Sequence, residues 1–314
     1  MHLLLRSLAS ILVVLTLHLW GVGPLEPEPV QASSPLARIL SRAKTSPENI
    51  LPVQYDTQRA EQLFTQTLRR EQPLDELQDA WSELDFVLSE VVLKEQRYRV
   101  LREATHRRAG RGVYAFRCCE EAMPIALQAP HSDSDRHTHE ITLSMFADSP
   151  CLAAAWNSVH RSSLDAAHQP ESFLNAFTRA LLKSHPQALI VQLHGFAQRK
   201  RTTRAAANVD LIVSNGSRFP QFWVREAAFS LQRQFPHGIT AMYPMDVEEL
   251  GGTTNQQAQI VHTVGTGGFL HLEMSRSLRV MLRDDPDARS DLTRNVLDAY
   301  QRMADDRQPQ EPPE

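Results

Sequence analysis

The sequence predicts an α/β fold: a mostly parallel or mixed sheet with helices on both faces, preceded by a helical N-terminal extension. Three observations support this. Short apolar runs of strand length recur, the clearest being Ala188 to Leu193 (ALIVQL) and Gly268 to Met274 (GFLHLEM). Helical patterns lie between such runs, notably Glu171 to Lys183 and Gln221 to Gln234, and strands alternating with helices argue for parallel crossovers. Ahead of them, Leu77, Trp81, Leu84, Leu88 and Val91 fall at steps of four, three, four and three, one face of an amphipathic helix.

Residues 1–32 read as a signal peptide rather than as fold. Arg6 supplies a positive n-region, Leu8 to Trp20 an uncharged and mostly apolar h-region, and Val30-Gln31-Ala32 a small-residue cleavage site before Ser33. The h-region is shorter than the roughly 20 residues of a membrane span. An exported protein, periplasmic or secreted, with no stable membrane span after processing is therefore expected. The long spacer Gly21 to Gln31 leaves an uncleaved anchor as the alternative. Export permits disulfides, and Cys118 and Cys119 are neighbours, so a bridge from one of them to Cys151 is the expectation. Three reduced thiols are the alternative.

Residues 33–108 form the expected extension. Ser33 to Pro52 reads as a poorly ordered lead-in, and Tyr55 to Ala104 as a helical hairpin or arm broken at Gln72-Pro73. A coiled-coil arm is the sharper alternative, with a short seam. The α/β domain spans 109–305. Its strands are expected at Gly112 to Arg117, Ile125 to Leu127, Ala153 to Asn157, Ala188 to Leu193, Leu211 to Ser214, Ile239 to Tyr243 and Gly268 to Met274. Asp291 to Ala304 closes it as a helix with Ser290 as N-cap. The Pro/Glu/Gln-rich tail 306–314 reads as disordered.

At 42% hydrophobic and 22% charged residues, with net charge −4, the composition is that of a globular protein without the basic excess of a nucleic-acid binder. Arg199-Lys200-Arg201 is too short to change this and reads as a solvated loop. The glycine-rich segments Gly251 to Asn255 and Gly265 to Gly268 read as loops, not as a nucleotide cradle.

Chemistry-bearing residues gather where strands end. Ile125 to Leu127 runs into Pro130-His131 and then a loop holding Asp133, Asp135, His137 and His139. His and acidic side chains at a strand's end are a common way to hold a divalent metal. His194-Gly195 follows ALIVQL directly. Glu273 lies inside an apolar strand, where a carboxylate is costly to bury unless paired, hydrogen-bonded or protonated, which makes it a general-base candidate. Pairing with Arg276 or Arg279 is the bland alternative.

These loops resemble those of zinc-dependent hydrolases with the metallocarboxypeptidase-like fold, in particular the poly-gamma-glutamate hydrolase branch. The matching elements are Ala129-Pro130-His131, Asp135 with Thr138, Leu193-His194-Gly195, and Leu272-Glu273-Met274-Ser275 through Leu278-Arg279, spanning roughly Val113 to Arg279. The resemblance implies zinc bound by His131, Asp135 and His194, with Glu273 activating a water to cleave an amide, peptide or gamma-glutamyl-like. The family's acidic ligand is usually Glu, so Glu140, which forms an H-x-x-E with His137, stays open as the ligand. The interval Trp156 to Arg161 resembles the stretch where related enzymes hold a substrate carboxylate, implying roles for Asn157 and Arg161. Pairing of Arg161 with Asp165 is equally open, and Tyr243 is a candidate phenol donor, with a core or rim tyrosine as the favoured alternative. A peptide or peptide-like substrate follows. The alternatives are a metal amidase acting on N-acyl amino acids or cell-wall peptides, and a binding protein on a hydrolase fold. The same ligand set also occurs with iron.

Overall fold

The structure, a computed structural model, describes residues 34–43, 54–235 and 238–307. The expected signal peptide, its cleavage site and the tail from residue 308 lie outside them. Helices α1 (Pro35–Ala43), α2 (Gln54–Arg69) and α3 (Leu74–Ser82) lead into strands β1 (Phe86–Leu93), β2 (Gln96–Glu103), β3 (Val113–Arg117) and β4 (Met123–Ala129). Then come α4 (Thr138–Ala147), β5 (Cys151–Trp156), α5 (Phe173–Ser184), β6 (Leu189–Gly195), α6 (Arg204–Ala207), β7 (Leu211–Ser214) and α7 (Phe222–Gln234). The order closes with β8 (Thr240–Met242), α8 (Gln256–Val264), β9 (Gly268–Met274), α9 (Arg276–Asp284) and α10 (Pro286–Asp305).

The nine strands form one mixed sheet in the order β1-β2-β3-β5-β4-β6-β9-β7-β8. Its centre, β5-β4-β6-β9, is parallel, while β1, β2 and β3 add antiparallel steps on one side and β7 runs antiparallel to β9 on the other. Side chains alternate across a strand, and the alternation sorts the core into two layers. Ile125, Leu127, Leu189, Val191, Leu193, Leu270 and Leu272 pack with α1, α4, α7, α9 and α10. Ala126, Ile190 and Phe269 pack on the opposite face with α2, α3, α5 and α8. The expected α/β architecture with helices on both faces is thus observed. Each fully buried Leu or Ile contributes about 1.5–3 kcal/mol, so both layers hold the sheet.

Four local expectations are corrected. Residues 86–103 are a β-hairpin, not helix. Lys94 and Glu95 both have positive φ (49° and 62°), as in the two-residue turn whose twist matches that of paired strands. The segment is rich in Val and aromatic residues, which fit a pleated surface. Only Leu77 and Trp81 of the proposed stripe share a helix, α3, although the break near Pro73 is present. Because β2 pairs with β3, the extension is continuous with the main sheet rather than an arm. Second, the lead-in contains α1, which buries Leu36 and Leu40 one turn apart against the core and is started by the Ser34 hydroxyl accepting from the Ala37 amide at 3.1 Å. Third, α10 begins at Pro286 and is capped by Asp285, which accepts from the Asp287 and Ala288 amides, so Ser290 lies inside the helix. Fourth, all three cysteines are free: Cys151 is buried in the core, while Cys118 and Cys119 are half-buried.

Candidate metal centre

On the α5/α8 side of the sheet the strands change character toward their C-terminal ends. Ala126 gives way to Gln128, Ile190 to Gln192 and His194, and Phe269 to His271 and Glu273, all at period two. The register sets Gln128 beside Gln192, Gln192 beside His271, and His194 beside Glu273. A polar floor therefore crosses three parallel strands at the edge where open α/β sheets bind ligands.

The loop after β4 folds back over this floor. The Ser134 and Asp135 amides both donate to the His131 carbonyl at 2.8 Å, and the Thr138 hydroxyl donates to the Asp135 carbonyl at 2.7 Å. This tight turn brings Asp135 under His131. Three buried ligand atoms then converge: His131 Nδ1 lies 3.2 Å from His194 Nδ1 and 3.4 Å from Asp135 Oδ2, and His194 Nδ1 lies 3.8 Å from Asp135 Oδ2. Ligands about 2.05 Å from a tetrahedral zinc are about 3.3 Å from one another. The triangle has that size.

The hydrogen-bond network fixes which nitrogen of each imidazole faces inward. His131 Nε2 contacts the Asp165 carboxylate at 2.8 Å, so it carries the proton and Nδ1 keeps its lone pair. For His194 the logic starts at a backbone carbonyl. Gln257 Nε2 donates to Ala166 O at 2.9 Å, so Gln257 Oε1 must accept, and Gln192 Nε2 donates to it at 2.8 Å. Gln192 Oε1 is then the acceptor for Asn255 Nδ2 at 2.7 Å and for His194 Nε2 at 3.0 Å. Gln192 Nε2 also donates to Gln128 Oε1 at 2.8 Å, and Gln128 Nε2 to Thr178 Oγ1 at 3.1 Å. Both Nδ1 lone pairs and a carboxylate oxygen therefore point at one another. Three acceptors in contact are unfavourable unless a cation or proton lies among them.

Glu273 stands next to this triangle. It is buried, its Oε2 has no partner among the described residues, and neither Arg276 nor Arg279 pairs with it. Burial, and then the Asp135 charge, push its carboxyl up to about 8. Its ligand atom lies within 4.8 Å of those of His194 and His271, whose ring centroids are 4.6 Å apart, and His271 Nδ1 has no partner among the described residues. Burial, then neighbouring histidines, holds His194 well below the ordinary range and His271 down to about 3, so both are neutral imidazoles. Burial acts to lower His131 too, yet its bonds to Asp135 and Asp165 carry it upward. Asp165 is itself depressed: burial opposes this, and hydrogen bonds from His131 and His168 overcome it.

A cavity of about 380 Å³ opens over the floor, lined by His131, His194, His271 and Glu273 together with Arg161, Arg218 and Tyr243. Arg161 both lines the cavity and bonds Asp165 Oδ2 at 3.1 Å. Tyr243 lies against Gly251, where an added Cβ would come within 2.4 Å of the ring; the glycine permits the approach. The Gly251 to Asn255 segment is thus a wall of the site, and Asn255 caps α8. Asn157 lies outside the cavity lining. Its Nδ2 donates to the Val159 and Leu164 carbonyls at 3.3 Å and its Oδ1 accepts from the Ser158 amide, so the side chain shapes the loop. Glu140 Oε2 lies 3.0 Å from His139 Nδ1 as an ion-pair contact, and His137 accepts from Arg283 at 3.2 Å; neither reaches the triangle, which Asp135 completes.

The bond of Asp165 to His131, the amide relay through Gln192 and Gln257, and the place of His271 lie beyond the sequence expectations. For two of these a signal exists: Gln192 and His271 interrupt apolar strand runs, and a polar residue there needs a partner.

No family model and no curated protein matches the chain. Among solved structures, it is similar to N-formylglutamate amidohydrolase from Ralstonia eutropha JMP134 at 11% identity and TM-score 0.41, covering 63% of this chain and 99% of that one. It is similar to the zinc-free form of YndL at 15% identity and TM-score 0.37, covering 60% and 89%. A metallo-carboxypeptidase from Burkholderia cenocepacia follows at 11% identity and TM-score 0.35, covering 70% and 65%. At this level of likeness nothing about substrate or reaction transfers to this chain.

Proposed function

We propose that this chain is an exported, zinc-dependent hydrolase of an amide bond in a peptide or peptide-like substrate, including gamma-glutamyl linkages. The observation that carries the proposal is the triangle of His131 Nδ1, His194 Nδ1 and Asp135 Oδ2, sized for a tetrahedral ion and built entirely of acceptors. Two neutral imidazoles and one carboxylate leave a fourth position open, the ligand pattern of catalytic rather than structural zinc. When bound, zinc would polarise a carbonyl and lower the pKa of a water toward neutrality.

The chain's own groups supply the remaining steps. Glu273 in its ionised form, which a cation held beside it would favour over the raised carboxyl, accepts the proton of the attacking water and delivers it to the leaving nitrogen. Its unpartnered Oε2 faces no competing donor among the described residues. Asp165 holds His131 in orientation, which raises the basicity of the ligand nitrogen. Arg161, steadied by Asp165, presents its guanidinium to a substrate carboxylate, and Tyr243, also in the cavity lining, supplies a phenol donor.

The test is metal content by elemental analysis of protein purified from Ser33 onward. About one zinc per chain is expected, lost in His131→Ala and His194→Ala. Against a panel of gamma- and alpha-linked peptides, Glu273→Gln should keep the metal and lose roughly 10²–10⁴-fold in turnover. Folded wild type that takes up no metal when zinc is supplied would overturn the proposal, and iron in its place would redirect it to oxygen chemistry.

A further inference from the structure

Phe219, Phe222 and Phe229 are 85%, 65% and 59% exposed, whereas the other nine of the chain's twelve phenylalanines are buried. Two of the three lie on α7, seven residues apart, which places them on one side of the helix two turns from each other. Arg225 and Arg233 are exposed on that same side, and Arg218 stands just ahead of it. The opposite side is already used: Trp223, Val224, Ala227, Ala228 and Leu231 are buried in the core. So α7 is apolar on both sides, and only one of them has a protein partner among the described residues.

The exposure is built in. The loop before α7 is tied by Asn215, whose Nδ2 donates to Phe219 O at 3.2 Å and to Gln221 Oε1 at 3.0 Å, while its Oδ1 accepts from the Ser217 amide at 3.1 Å. The Phe219 amide donates to Ser217 Oγ at 2.9 Å, and His262 on α8 bonds Asn215 O at 2.8 Å. Five hydrogen bonds thus hold a loop that turns an aromatic ring to solvent. Charge on the stripe runs against the molecule's average. Between residues 218 and 234 there are three arginines and one acid, the half-buried Glu226, in a chain of net charge −4. None of the three arginines has an ion pair among the described residues.

We infer that this face is a docking surface for a bilayer containing anionic lipid. Aromatic rings interspersed with arginines on one helix side are the chemistry of interfacial binding: the rings enter the headgroup boundary and the guanidinium groups meet phosphates. The outer side of a helix is convex, and a bilayer yields around such a shape, whereas a protein partner must supply a matching groove. Arg218 also lines the cavity described above, so docking brings the cavity mouth to the lipid surface. The inference stands on exposure and charge and is independent of the proposed hydrolase activity.

The experiment is co-sedimentation of the full chain with vesicles of phosphatidylcholine alone and with 30% phosphatidylglycerol, at low and high salt. Binding to the anionic vesicles only is expected, weakening with salt as charges are screened. F219S/F222S/F229S should abolish binding with an unchanged thermal melt, because the rings touch water in the free protein. R225Q/R233Q should weaken it, each arginine being worth roughly fivefold. Wild type that stays in the supernatant with anionic vesicles, or a triple variant that binds like wild type, would overturn the inference. A concentration-dependent dimer in sedimentation velocity that the triple variant dissociates would also overturn it, assigning the face to self-association.

Discussion

Gln192→Leu tests the amide relay most directly. Leucine has nearly the same volume but no polar atom, so four hydrogen bonds disappear together: those to His194 Nε2, Asn255 Nδ2, Gln128 Oε1 and Gln257 Oε1. Each buried group left without a partner costs about 1–3 kcal/mol, so the metal-free protein should lose about 4 kcal/mol or more in urea unfolding. The second effect is on the metal. Without an acceptor for its Nε2 proton, His194 is free to adopt the other tautomer, with the proton on the nitrogen that should face the ion. Loss of such an outer partner lowers metal affinity by about 10–100-fold, equivalent to about 1.4–2.7 kcal/mol. Competition with a zinc chelator measures this on folded protein and separates it from the urea result. Gln257→Met cuts the relay one step further out and should show the same sign with a smaller factor, which covers the case of Gln192→Leu being too unstable to purify. If either variant folds and binds zinc as tightly as wild type, the relay does not set the His194 tautomer and the reasoning fails.

Two further outcomes follow from the same structure. Asn157→Ala removes two side-chain bonds to the carbonyls of its own loop, so it should destabilise the protein by about 1–2 kcal/mol while leaving KM for any substrate unchanged; a selective rise in KM would restore it as a substrate ligand. Burial pushes the Cys151 thiol up to about 11, so at pH 8 almost none of it is thiolate, and it should resist alkylation in the folded protein while reacting in denaturant. Mass spectrometry after a timed pulse reads this, and rapid labelling of Cys151 in native protein would contradict its place in the core.

How much of this was legible in the sequence depended on the range of the interaction. Strands buried on both faces announce themselves locally, and Leu211 to Ser214 and Gly268 to Met274 match their expected bounds to the residue. His131, His194 and Glu273 could be singled out because each sits at or near the end of such a run, where topology later gathers them. The hairpin at 86–103 is hidden in the sequence because a step of three, which keeps a helix face, is also produced by strand residues on opposite faces: Leu88 and Val91 pack in different layers. The deciding feature is the backbone of Lys94-Glu95, whose residue types give no warning. The bonds of Asn157 were not legible because a polar residue that faces a cavity and one that braces the loop beside it look alike until the neighbouring carbonyls are placed. Asp165 was invisible as a partner of His131 because 34 residues separate them.

Asp165 and Ala166 are consecutive. The first orients His131 through its carboxylate, and the second orients His194 through its carbonyl, by way of Gln257 and Gln192. Both ring orientations are therefore set from two adjacent residues in the loop between β5 and α5. The two imidazoles do not respond as separate parts. A shift of that residue pair misaligns both at once, and a substitution that braces it steadies both, so the segment between β5 and α5 acts as a common datum against which the whole centre is aligned.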